Sequence, residues 1–414
     1  MKTTYALSAV ILFCSVLTAD PVIVSGGPEN DYESWIARLH DNRLMLVLCR
    51  NPDWESGDLY VTFSNDSGST WDSAIAIIED TLNQSTLSFV QMPDDTIRLW
   101  YASNEIDDYQ IYTAFSADGV SWTEQGPIDL GWQAWQRHFD PTVILEPDGS
   151  LTMSYRGPDG GYIAHCPAGG TWDTMRTYVA PLAYRPRVMK HSNGTYLYAY
   201  HRRTGSSYEY DVFVRTSIDR VNWSDSVRLT VNRNSHDPFP NETPDSAYLV
   251  YYAKAEYPAY NLYRRRSFDA VNWEAEEQIT ASSNNNTQPH FFCESDDIYL
   301  AWAYAVYFPD DHDVYFERSP YLGIAEKNEY IKQNGAMALD VYPNPCTDVL
   351  TVCINTKSTL PTQTLYDVQG RVLHTSIIPS SRYVYDTSWL PNGTYFLEVN
   401  SDDDFLIKRF TVVR

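Results

Sequence analysis

Five tryptophans fall at nearly equal intervals along the chain. Trp71, Trp122, Trp172, Trp223 and Trp273 are separated by 51, 50, 51 and 50 residues. Four of them end a short turn of similar spelling: "SNDSGSTW" at 64–71, "SADGVSW" at 116–122, "SIDRVNW" at 217–223 and "SFDAVNW" at 267–273. A degenerate fifth copy, "CPAGGTW", ends at Trp172. A fixed period near fifty, with several strands in each unit, indicates a β-propeller in which each repeat is a four-stranded blade.

The strands between the turns support this. Residues 43–50 "RLMLVLCR", 96–103 "TIRLWYAS", 150–157 "SLTMSYRG", 195–202 "TYLYAYHR", 247–254 "AYLVYYAK" and 298–305 "IYLAWAYA" line up as six second strands. The 32 Tyr, 12 Trp and 15 Phe favour pleated strands, and no long stretch has helical periodicity, so the chain is all-β. The sixth repeat reaches its third strand at "VYFERS" (314–319), but no fourth strand follows. The N-terminal "PVIV" at 21–24 is the expected donor, closing the ring so that no sheet edge stays open.

The turns have a physical logic of their own. Asp66, Asp118, Asp219 and Asp269 can accept backbone N–H bonds inside the turn, Gly68 and Gly119 permit positive φ, and the Trp folds back onto the sheet. The spelling S-x-D-x-G-x-x-W resembles the Asp-box, or bacterial neuraminidase repeat. That resemblance implies a sialidase-like six-bladed propeller over roughly residues 20–325, with the boxes in the hairpin between third and fourth strands, away from the ligand. The four Asp are therefore read as structural.

After Ile324 a polar stretch (326–338) reads as a linker. Residues 339–414 then carry strands separated by turn residues, a small β-sandwich. This part resembles the C-terminal sorting domain of the type IX secretion system. The matching residues are Tyr342-Pro343-Asn344-Pro345, Asp367 with Gly370-Arg371, Leu390 with Gly393-Thr394-Tyr395, and the closing Lys408–Val413. The resemblance implies a partner, the secretion machinery, and export across an outer membrane, with the domain removed or used as a surface anchor.

In a propeller, the starts of the first strands and the ends of the second strands share one face around the axis, where ligands usually bind. Taking the residue before the Pro of the first strand as reference gives Asp140, Arg185, Asp237 and Gln288, with Glu33 and Thr86 at the equivalent places. His138, Tyr184 and His236 lie immediately upstream. Arg50, Arg156, His201, Arg202, Arg203 and Lys254 follow the second strands. The mouth of an acidic protein thus concentrates Arg, His and Asp. A planar guanidinium suits a carboxylate, so an acidic glycan is an expected ligand, and Asp140 and Asp237 are candidate acid and base of a glycosidase. Arg50, His138, Arg156, Tyr184, Arg185, Arg202 and His236 are the candidate substrate-binding residues.

The sialidase resemblance carries over in part. Where the family opens its first blade with Arg-Ile-Pro, this chain has Tyr32-Glu33-Ser34. Arg50 matches the family's Arg after the second strand, and "NPDWESGD" supplies Asp53 or Asp58 where the family has its general acid. Tyr304 and Tyr307 are candidates for the family's Tyr nucleophile. A five-bladed arabinanase-type hydrolase shares the Asp-Pro of "FDP" and "HDP", but six repeats are counted.

Composition bounds the rest. A formal charge of -24 argues against nucleic acid as partner. Residues 1–19, with Lys2, an apolar run and Ala19, read as a secretory signal, and no other segment is long and apolar enough to cross a bilayer. Of the six Cys, Cys14 lies in that signal; the other five are widely spaced without CxxC and read as buried hydrophobes, with no metal site and no cofactor expected. The expectation is a secreted or surface-bound monomer that binds or acts on carbohydrate, as a glycoside hydrolase or polysaccharide lyase or as a noncatalytic propeller binding glycan or protein.

Overall fold

The structure is a computed structural model, and it falls into two compact units, residues 1–319 and 320–414. It describes residues 21–51, 56–106, 108–133, 135–205, 209–231, 234–256, 258–306 and 312–319 of the first, and 320–321, 338–342, 346–355, 362–367, 371–378, 380, 382–401 and 404–414 of the second. The signal and nearly all of the linker expected from sequence lie outside the described residues.

The first unit contains six four-stranded antiparallel sheets. Their innermost strands are Asn30–Arg38, Gln84–Gln91, Phe139–Leu145, Tyr184–Lys190, Ser235–Glu242 and Asn285–Glu294, numbered here as blades 1 to 6. Each innermost strand contacts that of the next blade, and blade 6 contacts blade 1, so the ring is closed. The second strands are buried on both faces, which is why Leu44 to Leu48 reads as an unbroken apolar run rather than an alternating one. Core residues are shared between neighbours: Leu44, Leu46 and Leu48 of blade 1 pack with Tyr299, Val314 and Phe316 of blade 6.

The N-terminal strand Val22–Ser25 supplies the fourth strand of blade 6, pairing Val22 with Phe316 and Ile23 with Tyr315. This closure is the one the missing fourth strand implied. It joins first and last strands in one sheet, so the ring cannot open without breaking a ladder.

The repeated turns form as their chemistry dictates. Asp118 Oδ1 accepts from the N–H of Val120 (2.8 Å) and Ser121 (2.7 Å), and Asp219 and Asp269 repeat this pattern. These backbone donors lower the Asp118 carboxyl to about 2. Trp122, Trp223 and Trp273 donate Nε1–H to the carbonyls of Gly119, Arg220 and Ala270. All of those carbonyl residues, like Gly68, have positive φ. Glycine therefore eases the turn but is not required by it. Gly68 has a second constraint, because a Cβ there would overlap the Phe316 ring of blade 6.

The second unit is a sandwich of a three-stranded and a four-stranded sheet. Its core is Leu339, Leu350, Val352 and Tyr385 from one sheet against Leu365, Leu397, Val399 and Phe410 from the other. Cys49, Cys166, Cys293 and Cys346 are free thiols, the first two and the last buried.

Candidate functional site

The six innermost strands share a bulge. Register shifts occur at Tyr32/Trp35, Ser85/Leu87, Phe139/Thr142, Tyr184/Arg187, His236/Phe239 and Thr287/His290. Within each bulge one non-glycine residue adopts a left-handed backbone: Glu33, Thr86, Asp140, Arg185, Asp237 and Gln288, with φ from 38° to 59°. Each such residue costs roughly 1–2 kcal/mol, a cost that persists only where the surrounding fold imposes it. In four blades a Pro follows, and a strand tolerates Pro at a bulge because no ladder donor is needed there. The bulge turns all six side chains into the mouth of the axial channel, where they line one cavity of about 780 Å³.

Five of these six residues form a relay around the axis. The Gln288 side-chain oxygen accepts from Glu33 N–H (2.9 Å), Glu33 Oε2 from Thr86 N–H (2.5 Å), Thr86 Oγ1 from Asp140 N–H (3.2 Å), and Asp140 Oδ2 from Arg185 N–H (3.3 Å). At Arg185 the pattern must change, because a guanidinium has no acceptor. His201 Nδ1 takes over, accepting from Asp237 N–H at 3.2 Å. That bond places the His201 proton on Nε2. Burial lowers the His201 pKa to about 3, which outweighs the attraction of Asp237, so the ring is neutral.

Arg185 is the electrostatic centre. It donates from Nη2 to Glu33 Oε1 (2.5 Å), and its Nε lies 3.9 Å from Asp140 Oδ1 and 3.7 Å from Asp237 Oδ1. Burial alone would lower its pKa, but Glu33, Asp140 and Asp237 together drive it upward. The Asp140 and Asp237 oxygens are no farther apart than the sum of their distances to Nε, inside the upper limit of roughly 9.5 Å seen for paired glycosidase carboxylates. Asp237 also bonds His236 Nδ1 at 2.8 Å. Burial raises the Asp237 pKa, but His236, then Arg185, reverse this and hold the carboxyl well below the usual range. Asp140 Oδ1 is buried and has no hydrogen-bond donor.

Arg156 differs from Arg185. Its guanidinium stands over the Tyr184 ring (3.8 Å) and the Phe139 ring (4.8 Å), lines the mouth, and has no hydrogen bond or ion pair among the described residues. Burial lowers its pKa and nearby Asp140 opposes this. Tyr32, Tyr109, Tyr210 and Tyr260 add aromatic wall to the cavity.

The structure thus brings Asp140, Asp237, Arg156, Tyr184, Arg185 and His236 into one cavity. Other sequence candidates stand elsewhere. Arg50 makes two 2.8 Å bonds to Asp31 and stacks on Tyr60, outside the cavity lining. Arg202 stacks on Phe213, and His138 is buried with Nδ1–H donating to Gln136 O at 2.9 Å. Asp58 accepts from Asp80 N–H, and Tyr304 packs on Tyr315. Asp53 and Tyr307 lie outside the described residues. Glu33 and His201, which the strand alignment puts at the mouth, carry no catalytic or substrate-binding role in the sequence reading. The aromatic walls went unnoticed too, because a Tyr or Phe on a strand reads as core.

Residues 340–413 match the family model of the secretion system C-terminal sorting domain. No curated protein matches the chain. Among solved structures, a Dyadobacter fermentans protein of unknown function aligns with TM-score 0.59 at 13% identity, covering 72% of this chain and 98% of that one. The Penicillium chrysogenum α-L-arabinanase complexed with arabinobiose gives TM-score 0.57 at 16% identity over 73% and 98%. The Trypanosoma rangeli sialidase gives 0.53 at 11% over 92% and 84%. At such identities the likeness is one of fold alone, that of a β-propeller built from four-stranded sheets. The second unit is a type IX sorting domain, which makes the protein a secreted or cell-surface one.

Proposed function

We propose that the protein is an extracellular glycoside hydrolase that takes an acidic glycan into the axial mouth. The observation that carries this reading is the convergence of an unpaired cation, Arg156, with Asp140 and Asp237 in one aromatic-walled cavity. Arg156 would hold a sugar carboxylate through its planar fork, with Tyr184 and Phe139 keeping the guanidinium in place. Asp237, held ionised by His236 and Arg185, serves as nucleophile or base. Asp140, with an oxygen free of donors, is the carboxyl that delivers a proton to the departing glycosidic oxygen, while water supplies the hydroxyl of the new reducing end. Asp53, which follows the second strand of blade 1 in sequence, is the alternative proton donor.

A noncatalytic glycan-binding propeller is the second reading. It is favoured by the internal pairing of Arg185 with Glu33 and by the burial of Asp140 Oδ1. One experiment separates the two: a hydrolysis screen of the purified protein on sialylated, uronate-containing and arabinan oligosaccharides, beside Asp140→Asn, Asp237→Asn and Asp53→Asn. Turnover lost in Asp237→Asn supports the hydrolase. Binding without turnover supports the second reading, and turnover unchanged in all three variants removes these carboxylates from the chemistry.

A further inference from the structure

The regular turns seal the gap between blades on the side opposite the mouth. In blade 1, Gly68 packs against Phe316 of blade 6; in blade 2, Gly119 packs against Phe63 of blade 1. Phe63 and Phe316 are accordingly buried. In blade 4 the corresponding residue, Arg220, reaches His165 of blade 3. Blade 3 breaks the rule. Its turn, "CPAGGTW", lacks the Ser-x-Asp pair, and Gly169, left-handed like its counterparts, has nothing within 4 Å of where a Cβ would stand. The equivalent aromatic of blade 2, Phe115, is left half-buried.

The gap is a cavity of about 720 Å³ between blades 2 and 3, lined among others by Arg98, Trp100, Phe115, Gln125, Thr171 and Trp172. Its chemistry is one-sided. Trp100 is 1% exposed, and its Nε1–H, buried, has no acceptor. Trp172 stands edge-on to Trp100 at 6.0 Å and lacks the turn bond that three other repeat tryptophans make. Arg98 is exposed with no hydrogen bond or ion pair among the described residues. Asp129, the carboxylate in the lining, accepts from Gly131 N–H within its own loop.

We propose that this cavity is a second carbohydrate site, one that binds an oligosaccharide without cleaving it. The half-buried indole of Trp172 and phenyl of Phe115 match the apolar faces of sugar rings, while the exposed Arg98 guanidinium matches their many acceptor oxygens. Among the described residues of the lining Asp129 is the one carboxylate, which fits a site that holds a glycan rather than one that hydrolyses it. It is independent of what the mouth does.

The test is calorimetric titration of the full chain, in the Asp237→Asn background, with arabinan, xylan and polygalacturonate oligosaccharides. Two sites per chain are expected. Arg98→Ala should weaken one of them by about tenfold or more and, made alone in the chain that keeps Asp237, leave hydrolysis at the mouth unchanged. Trp172→Phe should weaken the same site, and Arg156→Ala should spare it. Arg98 is exposed, so its variant reports even where a Trp172 change disturbs folding. A single site that vanishes in Arg156→Ala, affinities indifferent to both Arg98→Ala and Trp172→Phe, or no binding by any of the three glycans would overturn the proposal.

Discussion

At the turn end of a blade, Asp118, Asp219 and Asp269 each accept backbone N–H groups from residues two and three positions away. At the mouth end, Glu33 and Asp140 accept from backbone groups of the next blade, some fifty residues along the chain. Both ends repeat around the ring, and both hold non-glycine residues in left-handed backbone. The difference is where the charge is satisfied. Turn carboxylates are spent within their own hairpins. Mouth carboxylates depend on ring closure, and they leave side chains with unused valence facing a cavity. Repetition at the first end makes scaffold, and divergence at the second makes a site.

The largest expected effect tests the mouth directly. Asp237→Asn should reduce glycan turnover at least about a thousandfold, roughly 4 kcal/mol in barrier, read as kcat with melting temperature unchanged within a few degrees. Next is the ion at its centre. Arg185→Ala leaves Glu33, Asp140 and Asp237 facing one another without their cation, and should cost about 3–5 kcal/mol in chemical denaturation. A smaller loss would mean that the carboxylates find protons or solvent in the mouth.

The turn end gives a graded pair. Gly68→Ala meets both a left-handed backbone and the Phe316 ring, and should cost about 2 kcal/mol or more; Gly169→Ala meets the backbone term alone, about 1 kcal/mol. Equal losses in thermal melts would show that blade 3 is sealed like the others. The remaining test varies pH rather than packing. His201 has a folded pKa of about 3, below the ordinary value of 6.5, so between these pH values the unfolded chain binds the extra proton. Stability therefore rises with pH across that window and is fully present above 6.5. His201→Gln should flatten the slope between pH 4 and 6.5 by up to about 1.4 kcal/mol per unit. His138 and His290, also lowered by burial, keep part of the slope in place.

How much of this was legible can be seen residue by residue. The unpaired third strand of the last repeat already implied that "PVIV" closes the ring, since an open edge is costly. The reference position before the first-strand Pro picked out all six residues that line the axis, because a repeat preserves backbone geometry even where side chains change. The Pro itself carried a further signal, as a Pro inside a strand marks a bulge. What could not be read was pairing. Arg50 and Arg156 occupy equivalent strand ends, yet one is neutralised by Asp31 and the other has no ion pair among the described residues.

The amino-acid sequence alone determined the scaffold: the period of the Trp turns, the six apolar second strands and the sorting-domain motifs are local patterns, written in short-range hydrogen bonding and strand burial. Only the tertiary structure decided which charges are spent and which remain. Arg185 is held by three carboxylates from blades 1, 3 and 5, and Phe115 is left half-buried beside the turn of the next blade. Such partners meet only when the ring closes, and the energy of a buried charge depends on distances that no linear spacing records.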